Sequence, residues 1–313
     1  MNSFITTLYP SVDLIDSVVF KNTNSEENIY FSKPFLKAFE ISNPQIEFKY
    51  ISISDANKNT LALALVQVIS LNVEGMLKNI KVAPLVRKGL GLLFCNEHIK
   101  IMFCGNVFLS GEHGISTAET SSKKDIYSEI GTALDAVAAN TKPMHAIFIK
   151  DFKLASLVHT QAFLNFGYSE IKVEPNMIIQ LKPEWKTFED YKNILKSKYR
   201  VKANKADSKS STLETRLFSD QDLETYKHEL QALYQNTIDK ASFNAQVLNL
   251  DTYSHLSASL KDNFIVKGYF LENRLVGFLT ALVNDNKLDA HFIGLDYELN
   301  KSHAIYPRIL NDY

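Results

Sequence analysis

Two short stretches of this chain carry side chains able to move a proton or hold an anion. Glu112 and His113 stand between Gly111 and Gly114. The glycines free the backbone. A carboxylate beside an imidazole offers a general base for deprotonating an amine nucleophile. The same four residues also suit a tight turn with polar tips. No HExxH or Cys/His ligand spacing accompanies them, so no metal is expected. The second stretch is Lys192–Lys209, the one marked charge run, which includes Lys198, Arg200, Lys202 and Lys205. Such a run can bind an anionic substrate or the acceptor stem of a transfer RNA. It also matches the solvated face of an amphipathic helix.

Composition narrows the function classes. The 313 residues suit about two domains of ordinary size. Lys plus Arg (34) nearly balance Asp plus Glu (35), for a net charge of −1. That argues against bulk nucleic-acid binding and against DNA as a partner, because both need a strongly basic face. Cys95 and Cys104 lie in or near apolar segments and read as buried free thiols, which fits a reducing cytoplasm. The N-terminus has no basic start, and the apolar run Leu61–Leu71 is about half of the ~20 residues needed to cross a bilayer. A cytoplasmic protein without a transmembrane segment is expected.

These groups need elements to position them. Residues 28–42 read as a lead into a helix. Phe48–Ile53 and Leu61–Leu71 read as strands around the turn Asp55–Asn59, and Ile99–Gly105 as a third strand. After a loop over Asn106–Lys124, the spacing of Ile126, Ile130, Leu134, Val137 and Ala138 predicts a helix over Asp125–Asn140, with Ser122 and Asp125 as a capping box. His145–Lys150 reads as a strand and Leu154–Phe166 as a helix stopped at Gly167. Ser169–Val173 and Met177–Leu181 read as two more strands. Arg87–Gly91 reads as a turn. Trp185, Phe188, Tyr191, Leu195 and Tyr199 line one helical face. Phe264–Glu272, Leu275–Val283 and Leu288–Leu295 form an antiparallel meander, and a helix follows over Ala304–Tyr313.

The phrase Asn273-Arg274-Leu275-Val276-Gly277-Phe278 resembles the hairpin of the GCN5-related N-acyltransferase (GNAT) family, and Ala162–Tyr168 resembles that family's closing helix. Tyr199–Ala206 is similar to a signature of the FemAB-like and BioF2-like tandem acyltransferases, and the loop Cys104–Gly114 to bacterial members of that group. The resemblance implies a mixed α/β (α+β) fold with mostly antiparallel sheets. One GNAT-like domain would span 1–183 and a second 184–313, entered by a helical linker over 184–209. The second half lacks the family's closing strands, so the chain is expected to be a truncated form of a longer protein. Alternatively, residues 1–20 or another chain supply the missing strand.

The resemblance also implies sites. It places the strand holding His291 beside an acyl thioester whose carbonyl is held by backbone N–H groups. By simple alternation His291 and Ile293 share one face of that strand. Tyr306 would protonate a leaving thiolate. A phosphate cradle for acyl-CoA (acetyl-CoA) would fall at Leu295, Lys301, Ser302 and Ala304, with His303 replacing the family's glycine. A plain helix start capped by Ser302 is the alternative. The implied activity is acyl transfer from acyl-CoA to an amine on a small-molecule or cell-envelope precursor. A FemAB-like enzyme would instead take the acyl group from aminoacyl-transfer RNA, and a decayed scaffold would only bind. The working cleft is expected between the halves, lined by Gly111–Gly114, His291 and Lys198–Lys205.

Overall fold

The computed structural model describes residues 4–23, 28–72, 98–119, 122–173, 175–241 and 244–313. Cys95 and the turn over Arg87–Gly91 lie outside them. Two compact units divide the chain: Met1–Asn176 with Ser242–Leu248, and Met177–Ala241 with Asn249–Tyr313.

The first unit is built on a sheet of order β1-β2-β3-β4-β6. Its strands are β1 (Ile5–Tyr9), β2 (Glu47–Ser54), β3 (Thr60–Asn72), β4 (His98–Cys104) and β6 (Ala146–Ile149), with the short β5 (Ile115–Thr117) pairing β3. The path is antiparallel until its end, where β6 lies parallel to β4 with Ile101 opposite Ala146 and Cys104 opposite Ile149. A parallel neighbour requires a crossover, and α3 (Lys123–Asn140) supplies it, as its apolar spacing requires. Ser122 holds the N-cap position without a side-chain capping bond, so the expected capping box is absent.

β3 reads as an almost unbroken apolar run because the sheet is covered on both faces. On one face Ile51, Ile53, Ala64, Val66, Met102 and Cys104 pack against Ile126, Ile130, Leu134 and Val137 of α3. On the other, the Tyr50 hydroxyl donates to Glu40 Oε2 at 2.8 Å, on α2 (Lys33–Ser42), which follows α1 (Ser17–Asn22). Leu134 is fully buried, so truncation to Ala would cost about 2–5 kcal/mol. Burial pushes the Cys104 thiol up to about 12, which makes it an inert core thiol.

Two expectations fail here. The Leu154–Phe166 helix is broken into a 3-10 turn (Leu154–Ser156), α4 (Leu157–Thr160) and a second 3-10 stretch (Gln161–Phe166), although it does stop at a left-handed Gly167, φ +80°. Residues 169–173 and 177–181 form no strand, and Met177 and Ile178 are exposed. Alternating apolar residues meet the local requirement for a strand, but a ladder also needs a partner edge.

The second unit repeats the antiparallel path. Its sheet runs β10-β9-β8-β7, from β7 (Glu214–Leu217), β8 (Phe264–Leu271), β9 (Arg274–Asn284) and β10 (Lys287–Leu295). Short strand, helices, three-strand meander, helix is the order in both units. β7 was not legible in the sequence: it is four residues long and exposed throughout. The β8–β9 turn is Glu272–Asn273, both left-handed at φ +50° and +64°, as a two-residue hairpin demands. The helices are α5 (Phe188–Ile194), α6 (Ser197–Lys209), α7 (Asp220–Thr225), α8 (Lys227–Lys240), α9 (Asp251–Leu260), α10 (Tyr297–His303) and α11 (Ile305–Asp312). The aromatic face over 185–199 is interrupted, because Leu195 and Lys196 are extended between α5 and α6. The helix expected from Ala304 is two helices, hinged at a left-handed Ala304, φ +50°. Ile5–Tyr9 pairs with β2 of the first unit, so it does not supply a strand to the second.

Candidate functional site

In the first unit the glycine-flanked loop is fastened rather than displayed. Glu112 Oε2 accepts from the Lys153 N–H at 3.1 Å and from Ser156 Oγ at 2.9 Å, which closes the first turn of the Leu154–Ser156 segment. The His113 ring stacks on Tyr30 at 3.9 Å between centroids. A Cβ on Gly111 would stand 2.7 Å from His113 Nε2, so glycine there is a packing requirement as well as a conformational one, φ +115°. Lys150 grips the loop from below, donating to the Asn106 and Leu109 carbonyls, and pairs with Asp151 at 2.6 Å. Asp151 Oδ2 accepts the Gly111 N–H at 3.2 Å. Glu112 is therefore engaged by hydrogen bonds and His113 by ring stacking within the first unit. Unpaired loops expose polar tips, but here the neighbouring β6–α4 segment offers an N–H and a hydroxyl that the Glu112 carboxylate reaches.

The lysine run is a helix face. Lys198, Lys202, Lys205 and Lys209 fall at i, i+4, i+7 and i+11 of α6, so they form one stripe about 16 Å long. The opposite requirement, burial, is met by Ala203 and Ala206. Lys198 leans over the Tyr199 ring at 4.8 Å, and Lys209 donates to the Lys301 carbonyl at 2.9 Å. Lys202 and Lys205 are exposed and make no ion pair among the described residues. Arg200 is not part of the stripe; its guanidinium donates to the Asn193 carbonyl at 3.1 Å. Lys192 is buried between Glu189 and Asp207, and their bonds to its ammonium raise its proton affinity.

The proposed phosphate cradle is a helix interior. α10 begins at Tyr297, and its cap is Asp296, not Ser302: Asp296 Oδ1 accepts from Glu298 N–H at 2.9 Å and Leu299 N–H at 3.3 Å. Arg274 pairs with the same carboxylate through Oδ2. A helix N-terminus attracts anions because its first N–H groups are unpaired; here the chain's own carboxylate takes them. Leu295 is a core residue at 0% exposure. The Lys301 carbonyl is bonded by Lys209, and Ser302 Oγ donates back to Leu299 O at 3.0 Å. Ala304 is the buried hinge between α10 and α11. Tyr306 is exposed, and its N–H is taken by Asn300 Oδ1 at 2.8 Å.

His291 stands at a defect in β10. Ala290 pairs with Ala281 and Ile293 with Leu279, so His291 and Phe292 together oppose Thr280. Two residues against one is a β-bulge, and it cancels the simple alternation that put His291 and Ile293 on one face. The side chain of Thr280 fills the missing ladder positions: its Oγ1 accepts from the Phe292 N–H and donates to the Phe292 carbonyl, both at 3.0 Å. His291 Nδ1 lies 3.4 Å from the same oxygen. The Tyr313 hydroxyl donates to the Thr280 carbonyl at 2.9 Å. Tyr253 of α9 is buried with its ring 6.3 Å from that of His291, and burial raises its phenol well above the ordinary value, as it does for Tyr313. Both phenols therefore stay protonated at neutral pH.

The two units differ at this strand. β4 is paired on both edges, by β3 and β6, with no break in register. β10 pairs only with β9 among the described residues, and it alone of these two strands carries the bulge. The bulge was not legible from the sequence, since Thr280 and Tyr253 carry no motif.

No known family model matches the chain, and neither does any curated protein. Solved structures do. FemX is similar at 8% identity with a TM-score of 0.52, over 95% of this chain and 84% of FemX. L-PGS from Bacillus licheniformis is similar at 12% identity with a TM-score of 0.48, over 95% of this chain and 71% of that one. A GCN5-related glucosamine N-acetyltransferase region of a fungal multi-domain β-N-acetylglucosaminidase is similar at 13% identity with a TM-score of 0.41, over 100% and 34%. Of these three, FemX carries the argument. This chain shares the mixed α/β fold of FemX.

Proposed function

We propose that the chain is an acyl-group transferase whose transfer centre is the bulge of β10, with His291 as the base. The observation that carries this reading is the Thr280–His291–Phe292 bulge on a strand that has one edge unpaired by any strand among the described residues. Such an edge offers backbone N–H groups to an acyl carbonyl oxygen as charge develops there. In the reaction an amine nitrogen bonds to the acyl carbon, its proton passes to the His291 imidazole, and the bond to the donor oxygen or sulfur breaks. The departing group then takes up a proton. General-base help of this kind is worth roughly 10²–10⁴-fold.

The donor we favour is an aminoacyl ester carried by a transfer RNA, with an amine of a cell-envelope or small-molecule precursor as acceptor. Two features support it over acyl-CoA: Asp296 occupies the helix N-terminus where a pyrophosphate would sit, and α6 displays the Lys198–Lys202–Lys205 stripe. Acyl-CoA remains the second reading because the β10 bulge serves a thioester equally well. No helix among the described residues is long and apolar enough to cross a membrane.

Thermal shift with acetyl-CoA, free CoA and aminoacylated transfer RNA separates these readings, because a ligand at 100 times its Kd adds about 2.7 kcal/mol to stability. Stabilisation by transfer RNA that fades with salt is the expected result. Stabilisation by CoA alone would replace it with the second reading. Stabilisation by neither would leave a binding protein on a transferase scaffold.

A further inference from the structure

We infer that the first unit carries a binding site for a small phosphate ester, in the cavity beyond the last turn of α3. The site belongs to the first unit alone and takes no part in the transfer chemistry proposed for β10. The cavity measures about 310 Å³, and Lys49 of β2, Lys100 of β4 and Lys142 line it. Ligand cavities run from about 300 to 1,000 Å³, so this one suits a small molecule.

The strand pattern brings the charges together. Side chains alternate across a strand, so Lys49 shares a face with Ile51 and Ile53 of β2, and Lys100 shares one with Met102 and Cys104 of β4. Those four apolar residues belong to the core packed against α3. On β3, Lys49 stands opposite Val66 and Lys100 opposite Ser70, which puts both lysines on the helix-covered face. α3 ends at Asn140, so apolar core gives way to charge where the helix stops covering the sheet. The root of Lys100 is held on both sides. β3 pairs one edge of β4, and on the other the His145 N–H donates to the Lys100 carbonyl at 3.0 Å while His145 Nδ1 accepts the Lys100 N–H at 3.1 Å.

The charges do not balance. Glu47 is the one carboxylate among the lining residues, and it pairs with Lys49 at 2.5 Å. The ammonium groups of Lys100 and Lys142 make no ion pair or hydrogen bond among the described residues. The end of α3 does not take them either, because Thr141 closes it: its N–H donates to the Ala138 carbonyl at 3.2 Å and its Oγ1 to the Val137 carbonyl at 2.8 Å. A lysine that served solubility alone would extend into water, yet the Lys49 side chain is only 17% exposed. Two unmatched cations call for a dianion. A phosphate monoester carries a charge of about −1.5 to −2 near pH 7 and three acceptor oxygens, where a carboxylate carries one charge. Lysine holds such a group as a point charge. Asn140 offers an amide, and Leu8 and Val137 an apolar wall, to the carbon frame of the ester.

The test is calorimetric titration and thermal unfolding of the whole chain with glucose 6-phosphate, gluconate and glucose, which share a carbon frame and differ in charge. Expected is saturable binding of glucose 6-phosphate with a rise in unfolding temperature, a much weaker response to gluconate and none to glucose. Lys100→Met and Lys142→Met keep an apolar stem and remove the charge. Each should weaken binding by at least about tenfold, the low end for a charge-assisted hydrogen bond, and the two together should abolish it. Lys186→Met, at an exposed position of the second unit, should change nothing. Should the double variant fail to fold, Lys142→Met alone decides, since Lys142 is exposed. A wild type indifferent to glucose 6-phosphate overturns the inference. So does a response that gluconate matches, or one that survives the loss of these lysines, which would mark an anion effect spread over the surface. Transfer RNA carries phosphate in its backbone, and a wild type that binds it but not glucose 6-phosphate would also overturn the small-ester assignment. None of these readouts needs transfer activity, so the proposed function can fail while this site stands.

Discussion

Asp296 sits on the Glu298 N–H at 2.9 Å, so the entry to α10 is capped by the chain itself. The GNAT resemblance matches a pyrophosphate cradle to Lys301–Ala304, but the helix itself starts at Tyr297, and a carboxylate at that start does electrostatically what a phosphate would. Asp296→Ala should cost about 1 kcal/mol through the lost cap. It should also open the helix N-terminus, so that inorganic pyrophosphate stabilises the variant and not the wild type. Thermal unfolding with and without pyrophosphate reads both effects. A wild type stabilised as strongly as the variant would show that the carboxylate does not block the site.

Lys202 and Lys205 form the exposed middle of the α6 stripe. Replacing both with Ala should weaken transfer RNA binding across sequences and flatten its salt dependence, by a slope of about 0.7–0.9 for each phosphate that is no longer neutralised. Fold stability should move little, since both are solvent-facing. Binding titrations at several salt concentrations decide the matter; an unchanged slope would remove the stripe from the interface.

Glu112 fastens a backbone N–H and a hydroxyl. Glu112→Ala should therefore destabilise the first unit by about 1–3 kcal/mol, the range for leaving such donors unpaired. Glu112→Gln, which keeps an acceptor oxygen, should lose less. If a transfer activity is in hand, neither substitution should alter its pH profile, and a changed profile would restore Glu112 as a base.

His291→Gln should lower transfer by roughly 10²–10⁴-fold while leaving donor binding intact. Initial rates and equilibrium binding, measured on the same preparation, separate the two. A loss of binding with an unchanged maximal rate would assign His291 to recognition instead.

Asp222 closes the α7 capping box. The Ser219 hydroxyl, then the Ser219 N–H, lower its pKa, with Arg216 adding to the effect. A folded-state pKa below the unfolded value of about 3.9 means that the unfolded chain binds the proton first as pH falls. The stabilisation is complete above that unfolded value and is lost as pH drops through the folded one. Asp222→Asn should remove this acid-side slope and leave the curve near neutral pH flat. Urea unfolding midpoints measured from pH 6 down to pH 3 would show it.

The periodicity of Ile126, Ile130, Leu134 and Val137 determined α3 because one helical face must be buried, and the runs at 264–271, 274–284 and 287–295 determined the meander because short turns between apolar strands leave few alternatives. The lysine spacing on α6 was equally readable, being a property of 3.6 residues per turn. The tertiary structure alone decided what each polar group does. Glu112 became a fastener because Lys153 and Ser156, more than forty residues away, present donors to it. Asp296 became a plug because Arg274 and the start of α10 meet at it. Thr280 became the partner of His291 because a one-residue slip in β10 leaves Phe292 without backbone partners, and a slip in register is set by what packs on both strands rather than by either strand's residues. Local order follows from side-chain spacing along the chain; hydrogen-bond partners follow from which segments the fold brings together.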